Sequence, residues 1–367
     1  MLALAWQTVR RQPGRFVALA AVVALPIVLV LVVSGVYVGL LDAMIAYPSS
    51  LPGDVVAVES GATPIFMRSG SRLAPDVLAE VRAVAGVAGV DPLYGRLIWV
   101  QRGGRGAFVY VIGIFPDDRV GGPLRLLAGT LPAELDEIVV DRVLADDLGL
   151  ALRSSLRVGE ARLRVSGIAA GGNSVIGTFA FANRNALGLA GVDTPSHLFV
   201  EASPGIDAAT LRRRVARVPG VRAYTRAEFL DDTLSLAKRF YRPILVVIAG
   251  LSAAVAATIL ALALAGALRE QRPDFGLLAA LGLSRGQLYA AALWQAVLVT
   301  GLGAAAGIAG GQAASSALSA AVPRFATHVP WWLAVMAAAG ALAIGLVAAL
   351  LPVRSAARVD PADVFRV

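Results

Sequence analysis

The chain has 367 residues, of which 57% are hydrophobic and only 16% charged, and its net charge is +8. Soluble domains average about 45–50% apolar and about 25% charged, so these values exclude an ordinary soluble enzyme, a disordered chain and a disulfide scaffold. No cysteine is present, which removes a thiolate nucleophile, a Cys-ligated metal and a lipoprotein anchor. Lys238 is the only lysine, and the basic residues flank apolar runs. That pattern fits a membrane protein better than a nucleic-acid binder.

Residues 1–15 set Leu2, Trp6 and Val9 at i, i+4 and i+7. This spacing predicts a cytoplasmic interfacial helix with one apolar face. Pro13-Gly14 is expected to end it. A spanning helix needs about 20 mostly apolar residues. Four stretches meet that need: 16–41, 243–267, 288–314 and 331–351. The first is too long for the apolar core of a cleaved leader, about 7–15 residues, and reads as an uncleaved anchor. None of the four holds an Asp, Glu, Lys, Arg or His. An ion-coupled carrier would need such groups to hold its ion.

Arg10, Arg11 and Arg15 precede the first span, and Arg269, Arg272 and Arg285 lie between the second and third. Arg354, Arg358 and Arg366 follow the fourth, whereas the loop 315–330 carries only Arg324. The positive-inside rule then places both termini and the loop 268–287 in the cytoplasm, with residues 42–242 outside.

In the outer segment, Val55–Glu59 reads as a strand, 73–84 as a helix, and 97–101 and 108–114 as strands. Further on, His197–Ala202 reads as a strand, 207–218 as a helix and Val221–Thr225 as a strand. Both helices lead into a Gly-Val pair, Gly86-Val87 and Gly220-Val221. A strand–helix–strand unit thus recurs near 54–115 and 196–226, with a second subdomain inserted at about 120–195. In that insert, 137–140 and 163–168 read as strands, 142–150 as a short helix and 171–177 as a Gly-rich loop. The expected fold is an α-helical membrane protein with four transmembrane helices plus an α+β extracytoplasmic domain of two subdomains.

Catalytic constellations are sparse. His197 and His328 are the only histidines, and neither has metal-ligand spacing. The neighbouring pairs Asp117-Asp118, Asp146-Asp147 and Asp231-Asp232 read as turn and helix-end residues. Arg212-Arg213-Arg214 reads as a solvated helix face, or as a contact for anionic lipid or a partner. No phosphate-binding Gly-x-x-x-x-Gly-Lys-Ser/Thr occurs. In the third span Gly303, Gly307 and Gly311 recur every four residues, which predicts close helix packing within or between subunits.

The cytoplasmic segment 269–282 is the informative one. Pro273 suits a helix start and Gly282 a helix end, while Phe275, Leu278 and Leu281 share a face. Ser284 and Gln287 form a capping box that opens the third span. A short amphipathic helix there is a handle for a cytoplasmic partner.

This segment resembles the coupling motif of the MacB/FtsX-like permease family. The motif is matched by Arg269, Glu270, Arg272, Asp274, Phe275 and Gly276, then Leu277, Leu278, Ala280, Leu281 and Gly282. The tail residues Asp360, Pro361, Phe365 and Arg366 are similar to the family's C-terminal motif. The run from Glu137 to Asp141, with Leu148-Gly149, Val158-Gly159 and 163–168 beyond it, also resembles the family's outer domain. Pro273 departs from the pattern, since the family more often has Arg or Lys there.

The resemblance implies a permease subunit of an ABC transporter of the mechanotransmission type in the bacterial cell membrane. Its implied partners are two copies of a cytoplasmic ABC ATPase, a second permease copy, identical or similar, and the lipid membrane. An extracytoplasmic adaptor is left open, and no nucleic acid is implied. ATP and Mg would bind the partner ATPase, leaving this chain non-catalytic and without a cofactor. The implied function couples ATP hydrolysis to movement of the outer domain, exporting or extracting an amphipathic or lipidic substrate. The alternative is an FtsX-like regulator of an extracytoplasmic cell-wall hydrolase. An outer segment of about 200 residues favours the first.

Overall fold

The structure is a computed structural model. It describes residues 13–115, 120–171, 173–174, 177–189, 192–270, 285–322 and 327–356. In chain order the first elements are α1 (Pro13–Ser50), β1 (Val55–Glu59), α2 (Pro75–Arg82), β2 (Val87–Arg102), β3 (Arg105–Ile114) and β4 (Arg125–Gly129). Next come β5 (Glu137–Asp141), α3 (Arg142–Leu148), β6 (Ser155–Val158), β7 (Ala161–Ala170), β8 (Asn173–Ser174), β9 (Gly177–Asn183) and α4 (Arg184–Leu189). The last are β10 (His197–Ala202), α5 (Ala208–Val215), β11 (Val221–Thr225), α6 (Arg226–Glu270), α7 (Arg285–Ala321) and α8 (Trp331–Ala356). Two compact units result: a mixed unit over 40–240, and a helical unit built from the described residues of 13–39, 241–322 and 327–356.

In the mixed unit, β1 lies between β10 and β11, antiparallel to both. β10 then pairs with β2 as far as Leu93. Helices α2 and α5 bury Val77, Val81, Leu211 and Val215 against Val55, Ala57 and Leu198 of this sheet. The local sequence explains both helices. Pro75 occupies the first turn of α2, where a missing N–H leaves nothing unsatisfied. Asp76 in its first turn and Arg82 in its last match the helix dipole. Asp207 caps α5 by accepting from the Thr210 N–H at 2.8 Å.

Beyond Leu93, β2 enters a second sheet. It pairs with β3 antiparallel, β3 with β9 parallel, and β9 with β5 antiparallel. β5 pairs with β7 parallel, β7 with β6 antiparallel, and β6 returns to Val100 and Gln101 of β2. The strands close a circuit, which leaves few exposed edges. Its interior is filled by Val100, Val109, Ile138, Val140, Leu156, Val165 and Ala180. One strand, β2, therefore serves both sheets. The stretch 171–177 departs from the expected loop: Asn173 and Ser174 pair with Thr178 and Gly177 as β8.

In the helical unit, Val23, Ile27 and Leu31 of α1 pack with Ala296 and Ala304 of α7. Among the described residues three helical stretches are long and apolar enough to cross a membrane, Phe16–Ser50, Ala237–Ile259 and Ala296–Ala321. The apolar part of α8, Trp331–Val347, is shorter. The helices run beyond the expected spans. α1 opens at Pro13, whose fixed φ suits a first helical turn; residues 1–12, where the interfacial helix is expected, lie outside the described part. α6 begins at Arg226 and holds Pro243 in its interior, not at its start. The reason is a second amphipathic pattern before the proline: Phe229, Thr233 and Ala237 recur every four residues and are buried. α7 runs on to Ala321 because the Ala-rich sequence past 314 favours helix.

Candidate functional site

The end of α1 and the start of α6 meet inside the mixed unit. Tyr47 lies with its ring 4.7 Å from Phe179 and 5.8 Å from both Phe66 and Phe181. From α6, Phe229 stands edge-on to Phe66 and to His197, at 6.3 and 5.7 Å. Leu40 and Met44 pack on Ala237. Such tilted and edge-on pairs add to the burial energy of large rings. Arg226 fixes the same junction through polar contacts. Its backbone N–H donates to the Asp54 carbonyl at 2.9 Å, and its guanidinium donates to the carbonyls of Gly53, at 3.2 Å, and Ser49. Ser49 is in the last turn of α1, where carbonyls have no partner in the helix itself. The first residue of one helix thus caps the end of the other.

His197 sits wholly buried in this aromatic layer, between Phe66 and Phe199. Burial pushes its pKa down to about 3, so the ring is neutral. The Ser196 hydroxyl donates to the Leu93 carbonyl at 3.1 Å. Nδ1 of His197, 2.9 Å away, must then donate to that hydroxyl oxygen. Nε2 has no hydrogen-bond partner among the described residues. Tyr110 reaches the same hydroxyl at 3.4 Å, and burial raises its phenol far above the ordinary value. The arrangement is a packed core histidine. Among the described residues no three His, Cys, Asp or Glu side chains gather as a metal site would require.

Of the residues singled out in the sequence, Arg269 and Glu270 end α6. Arg272, Asp274, Phe275, Gly276, Leu277, Leu278, Leu281 and Gly282 lie outside the described residues, as do Asp360, Pro361, Phe365 and Arg366. The three glycines of α7 face α1. A Cβ on Gly303 would fall 2.6 Å from Val23, on Gly307 2.8 Å from Ile27, and on Gly311 2.9 Å from Leu31. The four-residue steps match on the two helices, which run parallel, and the contact lies within one chain. The arginine run of α5 is engaged: Arg214 donates to the Ala85 carbonyl at 2.7 Å, and Arg212 lies 3.7 Å from Glu228. Sequence reasoning missed Tyr47, Arg226 and Phe229. Their only signal is the four-residue recurrence of Phe229, Thr233 and Ala237.

A mixed α+β unit in one chain with helices long and apolar enough to cross a membrane marks a membrane protein. Residues 17–218 match the MacB-like periplasmic core domain, and residues 246–361 match the FtsX-like permease C-terminal family. The first match alone covers more than half of the chain, which belongs to the MacB/FtsX-like family of ABC-transporter permeases. No curated protein sequence matches it. Among solved structures, the extracellular domain of the ABC-type transporter YknZ from Gram-positive bacteria is 12% identical, with a TM-score of 0.35 over 47% of this chain and 99% of that one. The periplasmic region of MacB from Actinobacillus actinomycetemcomitans is 12% identical, with a TM-score of 0.34 over 51% and 92%. A permease domain from Porphyromonas gingivalis is 14% identical, with a TM-score of 0.30 over 46% and 85%.

Proposed function

We propose that this chain is the membrane subunit of an ATP-driven ABC transporter whose ATPase is a separate cytoplasmic protein. The observation that carries the reading is the pair of family matches, one over the outer core and one over residues 246–361. The second match contains the segment 269–282 that reads as a handle for the ATPase. Two ATPases would serve two permease copies, identical or similar. ATP closure would act on 269–282 at the end of α6, and the outer unit would respond through the start of that helix. The junction of Arg226, Tyr47 and Phe229 supports this reading, because it ties both helices into the core of the outer unit. The chain would cross the cell membrane four times with both termini cytoplasmic, the shorter apolar stretch of α8 being the fourth span. It would carry no catalytic residue, with ATP and Mg on the partner. The work would be export or extraction of an amphipathic or lipidic molecule.

The test is purification from the native host in mild detergent, with mass spectrometry of the copurifying proteins. A stoichiometric small ATPase with phosphate-binding motifs is the expected result. Recovery with a cell-wall hydrolase and no ATPase would overturn the transport reading in favour of a regulator.

A further inference from the structure

The closed sheet of the mixed unit presents one row of side chains on its outer face. Val100 of β2 packs inward with Val109, Leu156 and Val158. Its neighbours Trp99 and Gln101 therefore point outward, as strand alternation requires. The register extends that outward row onto the adjoining strands. Phe108 of β3 stands opposite Trp99. Arg157 of β6 stands opposite Gln101, and Arg162 of β7 stands opposite Arg157. Directly opposed residues share a face, so all five side chains lie on one surface. A side-chain bond agrees with this: Arg157 donates to the Gln101 side-chain carbonyl at 2.6 Å. From Phe108 to Arg162 the row crosses three strand spacings, about 14 Å.

One end of the row is aromatic and bare. Trp99 and Phe108 are 48% and 57% exposed and hold an edge-on contact at 4.9 Å. A Cβ on Gly106 would lie 2.3 Å from the Trp99 ring. The indole therefore lies over a glycine of the neighbouring strand, with backbone beneath it and solvent above. The other end is cationic. Arg157 and Arg162 are exposed and directly opposed, and like charges so placed weaken a sheet. Neither forms an ion pair among the described residues. The carboxylates close by leave them so. Glu160, in the turn between β6 and β7, pairs with neither, while Asp136 and Glu137 are held by Arg164 at 3.5 and 3.1 Å.

A flat ring, a planar amide and two unbalanced guanidinia in one row suit a sugar chain that carries acid groups. The apolar C–H face of a pyranose can cover the indole, its hydroxyls can meet the Gln101 amide, and its carboxylate can bridge the arginine forks. Other occupants fit less well. A protein interface takes about 800 Å² from each partner, which a single row of five side chains does not supply. A nucleic acid brings a charge with every nucleotide, against two unpaired cations. An acyl chain would lie across Gln101 and Arg157 and strip their polar ends of water. We propose that this outer face binds an acidic oligosaccharide, with a sugar ring on Trp99 and Phe108 and a carboxylate between Arg157 and Arg162. The inference goes beyond the transport reading and needs no ATPase.

The test uses the full chain in phosphatidylcholine nanodiscs, free of sugar-based detergent. Titration calorimetry follows tetragalacturonate, its uncharged methyl ester, tetra-aspartate and a thymidine tetranucleotide. Tetragalacturonate should saturate at one per chain and bind at least about tenfold more tightly than each of the other three. Arg157→Gln with Arg162→Ala should weaken it about tenfold and leave the ester unchanged. Trp99→Leu, which keeps an apolar side chain and removes the flat face, should weaken acid and ester alike by about fivefold. Arg162→Ala alone relieves the like-charge pair, so it should not lower the melting temperature and reads binding in a folded chain. Absent saturable binding of tetragalacturonate would overturn the proposal, and so would an affinity unchanged by Arg162→Ala. Tetra-aspartate binding as tightly would make the face a general anion contact, and the tetranucleotide binding as tightly would make it a nucleic-acid face. Either result would overturn the sugar reading.

Discussion

Arg226 donates its guanidinium to the carbonyl of Ser49, so the first residue of α6 caps the last turn of α1. A second bond to the Gly53 carbonyl and a backbone bond to Asp54 widen the tie. The connection joins the two helices that flank the outer segment in the sequence. If the chain serves a transporter driven by motion, as proposed, such a tie would make the two helices act together on the unit that holds both ends.

Arg226→Ala removes the cap and leaves helix-end carbonyls without their donor. Hydrogen bonds from charged donors contribute about 1.5–3 kcal/mol, so the full chain in detergent should lose stability of about that size. Arg226→Lys should recover only part of it, because a single ammonium cannot reproduce the guanidinium fork. Thermal unfolding of the three proteins decides. Equal melting of wild type and Arg226→Ala would show that the cap contributes nothing.

His197 makes the stability of the mixed unit pH-dependent. Its pKa is about 3 in the folded chain against 6.5 as the ordinary value. The unfolded chain therefore binds the proton more readily between those values. The stabilisation is complete above about pH 6.5 and is lost as pH falls toward 3. Each pH unit in that window is worth at most about 1.4 kcal/mol, or about 2 kcal/mol between pH 6.5 and 5. His197→Phe, which keeps the packing and removes the titrating group, should flatten the fall. Melting curves from pH 7.5 to 5 measure it, and parallel slopes in the two proteins would refute it.

Much of this architecture is legible in the sequence, and the unread parts share a cause. β1, β10 and β11 show as apolar runs bounded by turns, and each has its expected ends. The short β6 alternates exposed Ser155 and Arg157 with buried Leu156 and Val158, a period too brief to stand out. β4, exposed along its whole length, carries no burial pattern at all. The aromatic junction draws on Tyr47, Phe66, Phe179 and Phe229, far apart in sequence and joined by no short-range period. The coupling motif reads the other way: its spacing is plain in the sequence, and most of it lies outside the described residues.

Gly307 tests the helix packing of the membrane unit. A Cβ there would meet Ile27 Cβ at 2.8 Å and the Ala24 carbonyl at 3.0 Å. Backbone cannot withdraw as a flexible side chain can, so Gly307→Leu must push α1 and α7 apart. Overpacking of this kind costs about 1–3 kcal/mol. Gly301→Leu is the control, because nothing lies within 4 Å of a Cβ at that position. The first variant should unfold at lower temperature in detergent and the second at the wild-type temperature. Equal loss in both would point to a general intolerance of leucine and not to the α1–α7 contact.

Glu270 and Phe275 test the handle itself. Glu270 ends α6, and Phe275 follows on the apolar face read from the sequence with Leu278 and Leu281. If a cytoplasmic ATPase grips this segment, the phenyl ring supplies the buried anchor and the carboxylate fixes orientation at the rim, the usual division of labour in an interface. Glu270→Ala should lower substrate-stimulated ATP hydrolysis while the ATPase still copurifies. Phe275→Ala should loosen the complex, with about tenfold weaker association, since anchor truncations cost more than about 1 kcal/mol. Both variants should leave the melting of the mixed unit unchanged, because neither residue belongs to that unit. Full stimulation with both residues replaced would remove 269–282 from the transmission path and leave the loop as an interfacial helix without a partner.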